Sequence, residues 1–356
     1  MKKNILLLMA LLLSVPTMMQ AQRRVVFITV DGYRWQELFG GADSVIINKK
    51  EFGSSKTLLD KYWRPTVEER RAALMPFVWN YVAKNGVIIG NRWKGCNMSV
   101  TNKMWFSYPG YNELLCGFAD DEHINSNEAG PNPNVSVLEV ANNSPKYKGK
   151  VLAFGSWDCF ADILNENRSK LPVSCGYRHS LAPKPTERDK FVAKMQDETA
   201  RYIGTERFDV FTHEYALEAM KTRHPLVLYV GYGDTDEWAH LGKYHLYLDM
   251  GHNTDQFIRE LWEYAQSDPF YKNKTTFIVT CDHGRGDVNP NDWRGHGSGI
   301  AHADQTWLMA FGAGIPAKGE LTTGEYHNNQ IAPTVASLLG IKFAPEHEGA
   351  GTKIDF

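Results

Sequence analysis

Asp31, Asp236, His240, Asp282 and His283 are residue types that hold metal ions, and they sit at the ends of apolar runs, where an α/β sheet presents its ligands. Asp31 closes the run 25–30, Asp234 and Asp236 follow 226–230, and Asp282 and His283 follow 276–280. Asp236 and His240 are four residues apart, so on a helical turn both side chains point the same way. His302, just ahead of the run 307–311, brings the set to three carboxylates and three imidazoles. His296, in a Gly-His-Gly loop, competes with it, and the place before a strand favours His302. Mixed oxygen and nitrogen donors suit zinc, with manganese or iron as alternatives, whereas calcium would ask for more oxygen. Two such ions side by side would clamp the attacking and leaving oxygens of an in-line displacement.

A nucleophile is offered by Ser107, two residues before Pro109. Proline favours the first turn of a helix, which would set Ser107 at a helix N-terminus, where unpaired N–H groups and the dipole attract a phosphate or sulfate ester. Asn112, on the first turns of that helix, and Lys103, four residues before Ser107, are candidates to bind a non-bridging oxygen. Trp157 and the pair Arg34-Trp35 also follow apolar runs and could face the substrate.

Positioning these groups calls for buried strands. The runs 25–30, 86–89, 151–154, 226–230, 276–280 and 307–311 are almost continuously apolar, as in strands covered on both faces. Helix-like segments at 76–84, 190–202, 249–266 and 330–339 alternate with them. The reading is a three-layer α/β/α sandwich with a mainly parallel central sheet. One domain, 22–356, is expected, with a loop-rich cap insertion within 120–185. Ahead of it, two lysines, an apolar run and Ala21 read as a signal peptide over 1–21, sending the protein to the periplasm or outside the cell. No later stretch is apolar and long enough to span a membrane. The near balance of 39 basic and 41 acidic residues excludes a basic nucleic-acid binder. Five cysteines, odd in number and without zinc-type spacing, exclude a disulfide scaffold.

The ordered set of motifs resembles the alkaline phosphatase superfamily over nearly all of 25–341. Asp31 resembles its first metal-binding aspartate, and Ser107, Pro109 and Gly117 match the spacing of its nucleophile helix. Thr235-Asp236-x-x-x-His240 and Asp282-His283-Gly284 are similar to its two aspartate/histidine pairs, and His302 to its final histidine. The resemblance implies two divalent metals, Asp31, Ser107, Asp282 and His283 on one and Asp236, His240 and His302 on the other, with zinc first and manganese second. It implies a phosphoserine intermediate on Ser107 and a small phosphate ester as substrate. Tyr111 stands where sulfatases carry an arginine, and Phe106-Ser107-Tyr108-Pro109 departs from the Lys-Thr-Phe-Pro of the phosphodiesterases. Sulfatase, phosphodiesterase and phosphoglycerate mutase chemistry are the alternatives within the superfamily. A silent anion-binding surface protein is the alternative outside enzymology.

Overall fold

The structure is a computed structural model that describes residues 23–128 and 130–356; the expected signal peptide lies outside them. Ten strands carry the fold: β1 (Arg24–Val30), β2 (Gly86–Ile89), β3 (Cys96–Ser99), β4 (Val151–Gly155), β5 (Val173–Cys175), β6 (Val227–Tyr232), β7 (Thr275–Thr280), β8 (Leu308–Gly312), β9 (Gly319–Glu320) and β10 (Gly324–His327). Eight of them form one sheet in the order β5-β4-β6-β1-β7-β8-β2-β9, and β10 pairs with β3 apart from it. β8 is antiparallel to both of its neighbours, while the other pairs in the large sheet are parallel. The expected mainly parallel sheet is the one observed.

The apolar runs become strands because both faces of the sheet are covered. Along β1, Val26, Ile28 and Val30 join one core and Val25 and Phe27 the other, the period-two split of a pleated strand. The long helix Tyr244–Ser267 supplies Tyr247, Leu248, Ile258 and Leu261 to the first core. Helices Ser107–Cys116 and Ile331–Leu339 supply Tyr108, Leu114, Leu115, Val335 and Leu338 to the second. Each such side chain taken fully out of water contributes about 1.5–3 kcal/mol, enough in sum to fix which strand end faces which helix. Within 120–185, expected as a cap, β4 and β5 belong to the central sheet and only the intervening segments are loop-rich. The expected helix at 76–84 contains a π-turn, Val78–Val82. No helix among the described residues is long and apolar enough to cross a membrane, and all five cysteines are free.

The strand order has one direct consequence for chemistry. β6, β1 and β7 are adjacent and parallel, so Asp31, the Asp234–Asp236 turn and Asp282-His283 emerge side by side at one rim.

Candidate active site

Helix Ser107–Cys116 brings Ser107 to that rim. Phe106, extended at φ −146°, stops the preceding chain, Pro109 sits in the first turn, and Gly117 in the left-handed region (φ 82°) ends the helix. Gly110 lets the helix dock: a Cβ there would lie 2.5 Å from the Asp282 carbonyl oxygen. The buried Glu113 carboxylate, one turn further on, accepts the N–H groups of Thr101, Asn102 and Asn329, fixing the loop ahead of Ser107. Asn102 Oδ1 in turn accepts the N–H of Trp105, a residue held at φ 54°.

Four groups converge around the ring nitrogen His283 Nε2. Ser107 Oγ is 3.2 Å away, Asp31 Oδ1 3.3 Å, Asp282 Oδ2 3.4 Å and Asp236 Oδ1 3.7 Å. Ser107 Oγ also donates to Asp31 Oδ1 at 3.3 Å. Asp31 Oδ2 accepts the Tyr111 hydroxyl at 3.0 Å, and Asp282 Oδ1 accepts the Gly32 N–H at 3.1 Å. The other Asp282 oxygen is buried without a hydrogen-bond partner. A second group adjoins the first through Asp236: His240 Nε2 lies 3.0 Å from Asp236 Oδ2 and 2.9 Å from His296 Nε2. Asp31, Asp236 and His283 have donor atoms within 4.8 Å of one another, as do Asp236, His240 and His296.

The donor set fits metal ions on physical grounds. His283 Nδ1 faces the Gly284 carbonyl at 2.9 Å and His296 Nδ1 the Trp105 carbonyl at 3.2 Å. Each Nδ1 must carry the proton to make that bond, which leaves the Nε2 lone pair pointing at carboxylate oxygens. Lone pair against carboxylate is repulsive unless a cation lies between them. The charge pattern agrees. Burial, then repulsion from Asp236, pushes the Asp31 carboxyl well above the usual carboxylate range, with the Tyr111 hydroxyl and Arg285 opposing. Burial and then Asp31 do the same to Asp282. Burial would also raise Asp236, but Arg285, whose guanidinium bonds it, and then His240 and His296 hold it well below that range. Burial, then the neighbouring His283, depresses His296 strongly, keeping that ring neutral and able to ligate.

Of the sequence-predicted residues, Asp31, Ser107, Asp236, His240, Asp282 and His283 come together. His302 does not: it lies in an exposed turn with its ring against Asp287, and His296, the competitor, stands beside His240 instead. Asn112 is fully buried and points away, donating to the Phe118 carbonyl and accepting from Asn132 and Asn134. Lys103 is exposed, and its backbone N–H donates to Asp121. Arg34 is buried against Glu37, and Trp35 is buried in the core. Trp157 does line the pocket over Ser107, a space of about 200 Å³. Asn127, Glu206 and Glu237 line it too and had not been anticipated. Asn127 Oδ1 accepts the Tyr108 N–H at 3.0 Å, so its NH₂ group is the donor left for a ligand. Glu237, next to Asp236, was within reach of sequence reasoning. Asn127 and Glu206 lie in irregular loops with no periodic signal.

No family model matches the chain. Human GPI ethanolamine phosphate transferase 1 is 25% identical over 302 residues, covering 78% of this chain but 30% of the human protein. The chain therefore spans about a third of the length of that relative. Among solved structures, wild-type alkaline phosphatase PafA superposes with a TM-score of 0.60 at 11% identity, covering 93% of this chain and 98% of PafA. Murine ectonucleotide pyrophosphatase/phosphodiesterase 5 gives 0.53 at 13% identity, covering 92% and 98%. The fold is that of the alkaline phosphatase superfamily, as the ordered motifs implied.

Proposed function

We propose that the chain is an exported hydrolase of phosphate esters that uses two divalent metal ions, zinc foremost and manganese second, and passes through a phosphoserine on Ser107. The observation that carries this reading is the convergence of Ser107 Oγ, Asp31, Asp282 and Asp236 on His283 beneath a pocket. Asp31, Asp282 and His283 would hold one ion, and Asp236, His240 and His296 the other. When bound, the ions supply positive charge that favours the ionised serine and offsets charge building on the phosphoryl oxygens. The chain's own groups do the rest. The helix N-terminus and the Asn127 NH₂ orient the phosphoryl group above Ser107. Asp31 accepts the hydrogen bond that aims Oγ, and Tyr111 aims Asp31. Arg285 fixes Asp236 through its side chain and backbone carbonyl.

The test is turnover of p-nitrophenyl phosphate and its diester by metal-loaded protein, with and without chelator, in the native chain and Ser107→Ala. Chelation and the substitution should each abolish turnover, and the native protein should carry about two metals per chain. Full activity in a metal-loaded Ser107→Ala would remove Ser107 as nucleophile. A transferase is the second reading, favoured by the identity to GPI ethanolamine phosphate transferase 1. It keeps the first half-reaction and gives the phosphoryl group to an alcohol, so added alcohol acceptors would yield a new ester in place of free phosphate. A sulfatase would turn over aryl sulfates, which the same panel covers.

A further inference from the structure

The pocket over Ser107, at about 200 Å³, is small for an organic ester, and a second cavity of about 860 Å³ opens beside it. Asn127 and Trp157 line both, so the two spaces share a wall at the point where an ester's organic part must leave the inner pocket. The outer cavity is lined by the carboxylates of Glu128, Asp158 and Asp162. Its one basic side chain, Arg178, already pairs with Glu166 at 2.7 Å and donates to the Val173 carbonyl. The Tyr177 hydroxyl is committed to the Ile203 carbonyl, and its ring carries the Arg201 guanidinium at 4.2 Å, so this residue acts as wall. Trp157 supplies the apolar surface nearest the inner pocket. Burial raises the Asp158 carboxyl, and Asp162 raises it further, against the Cys159 N–H and Arg178. Two carboxylates that repel one another beside an indole make a place for an organic cation, whose charge relieves the repulsion while its carbon chain packs on the ring.

We propose that this cavity is the subsite for the alcohol portion of the ester and that it selects alcohols bearing an ammonium group, held by Asp158 and Asp162 with Trp157 beneath the carbon chain. The inference rests on the phosphate-ester reading above and narrows it to a substrate class. Neutral alcohols of the same size leave the two carboxylates unpaired, and anionic ones are repelled.

The experiment compares 2-aminoethyl phosphate with 2-hydroxyethyl phosphate, which differ in charge and scarcely in size. In the metal-loaded native protein kcat/KM should favour the amine by about tenfold or more, and rising salt should erode the preference. In Asp158→Asn/Asp162→Asn, and partly in Asp158→Asn alone, the ratio should collapse toward one, with melting curves confirming folded protein. A ratio near one in the native protein, or a ratio that survives the double substitution, overturns the proposal. If neither ester is turned over, turnover of p-nitrophenyl phosphate decides whether the phosphate-ester reading itself has failed, and titration calorimetry of both compounds on metal-loaded Ser107→Ala still reads the cavity. There, equal dissociation constants for the two compounds overturn it independently.

Discussion

Gly110→Ala tests whether the helix carrying Ser107 is positioned by direct backbone contact with the end of β7. The new methyl would stand 2.5 Å from the Asp282 carbonyl oxygen and 2.9 Å from its carbon, where ordinary contact begins at 3.4 Å. Either the helix or the Asp282 segment must therefore give way by roughly 1 Å. Ser107 lies three residues before Gly110, on the same side of the helix, so the displacement reaches the Ser107 hydroxyl or the Asp282 carboxylate. A misplacement of about 1 Å at reacting groups costs on the order of a hundredfold in rate. Stability should change far less, because overpacking costs about 1–3 kcal/mol while replacing a helical glycine returns about 1 kcal/mol. The assay is kcat and KM for p-nitrophenyl phosphate at saturating metal, beside metal content and a thermal melt. A folded, metal-replete Gly110→Ala with kcat within about threefold of the native protein would refute the positioning argument.

Other substitutions probe the site's separate parts. His296→Ala should lose one metal per chain and most of the activity, while His302→Ala should keep both; elemental analysis after dialysis decides, and the opposite pattern would restore His302 as the ligand. Tyr111→Phe removes the hydroxyl that favours ionised Asp31, so its carboxyl becomes harder to ionise. The variant should shed metal at a pH about one unit higher than the native protein as acid is added, and superimposable metal-retention curves would exclude the role. Asp255 accepts the N–H groups of Phe77 and Val78, yet burial pushes its carboxyl up to about 7. A folded-state value above the unfolded one of about 3.9 means this group costs no stability below about pH 4 and progressively more as pH rises from there to about 7, where the cost levels off. The stability of Asp255→Asn relative to the native protein should thus improve between about pH 4 and pH 7 in urea melts and then level off, and a constant difference across that range would contradict it.

The sheet and most of the rim were legible because both are written in local patterns. A run such as 276–280, short and rich in β-branched residues, suits a buried strand, and the polar residues that end it then stand at the carboxyl edge. His302 misled because closeness to a strand was read as closeness to the site. The chain between β7 and β8 is irregular, and in it His302, at φ 70°, turns outward to Asp287 while Gly297, at φ 100°, follows an inward-facing His296. Asn112 shows the limit of placing a residue on a helix without its face: five residues from Ser107 is a turn and about 140° more, which points it into the second core rather than at the pocket. Glu206 had no sequence signal at all. It reaches the pocket only because Gly233 has no Cβ, the atom that would otherwise overlap its carboxylate.

The order β6-β1-β7 also governs when the site can exist. Gly32 and Asp282, joined by a hydrogen bond at its centre, are 250 residues apart in sequence. Closing a loop of that length is slow and must precede any reward from the contacts it makes. A nascent or partly folded chain therefore holds its aspartates and histidines scattered, with no concentrated donor set to seize whatever cation is at hand. An ion that needs donors from both β1 and β7 can therefore be held only once the last central strand has docked.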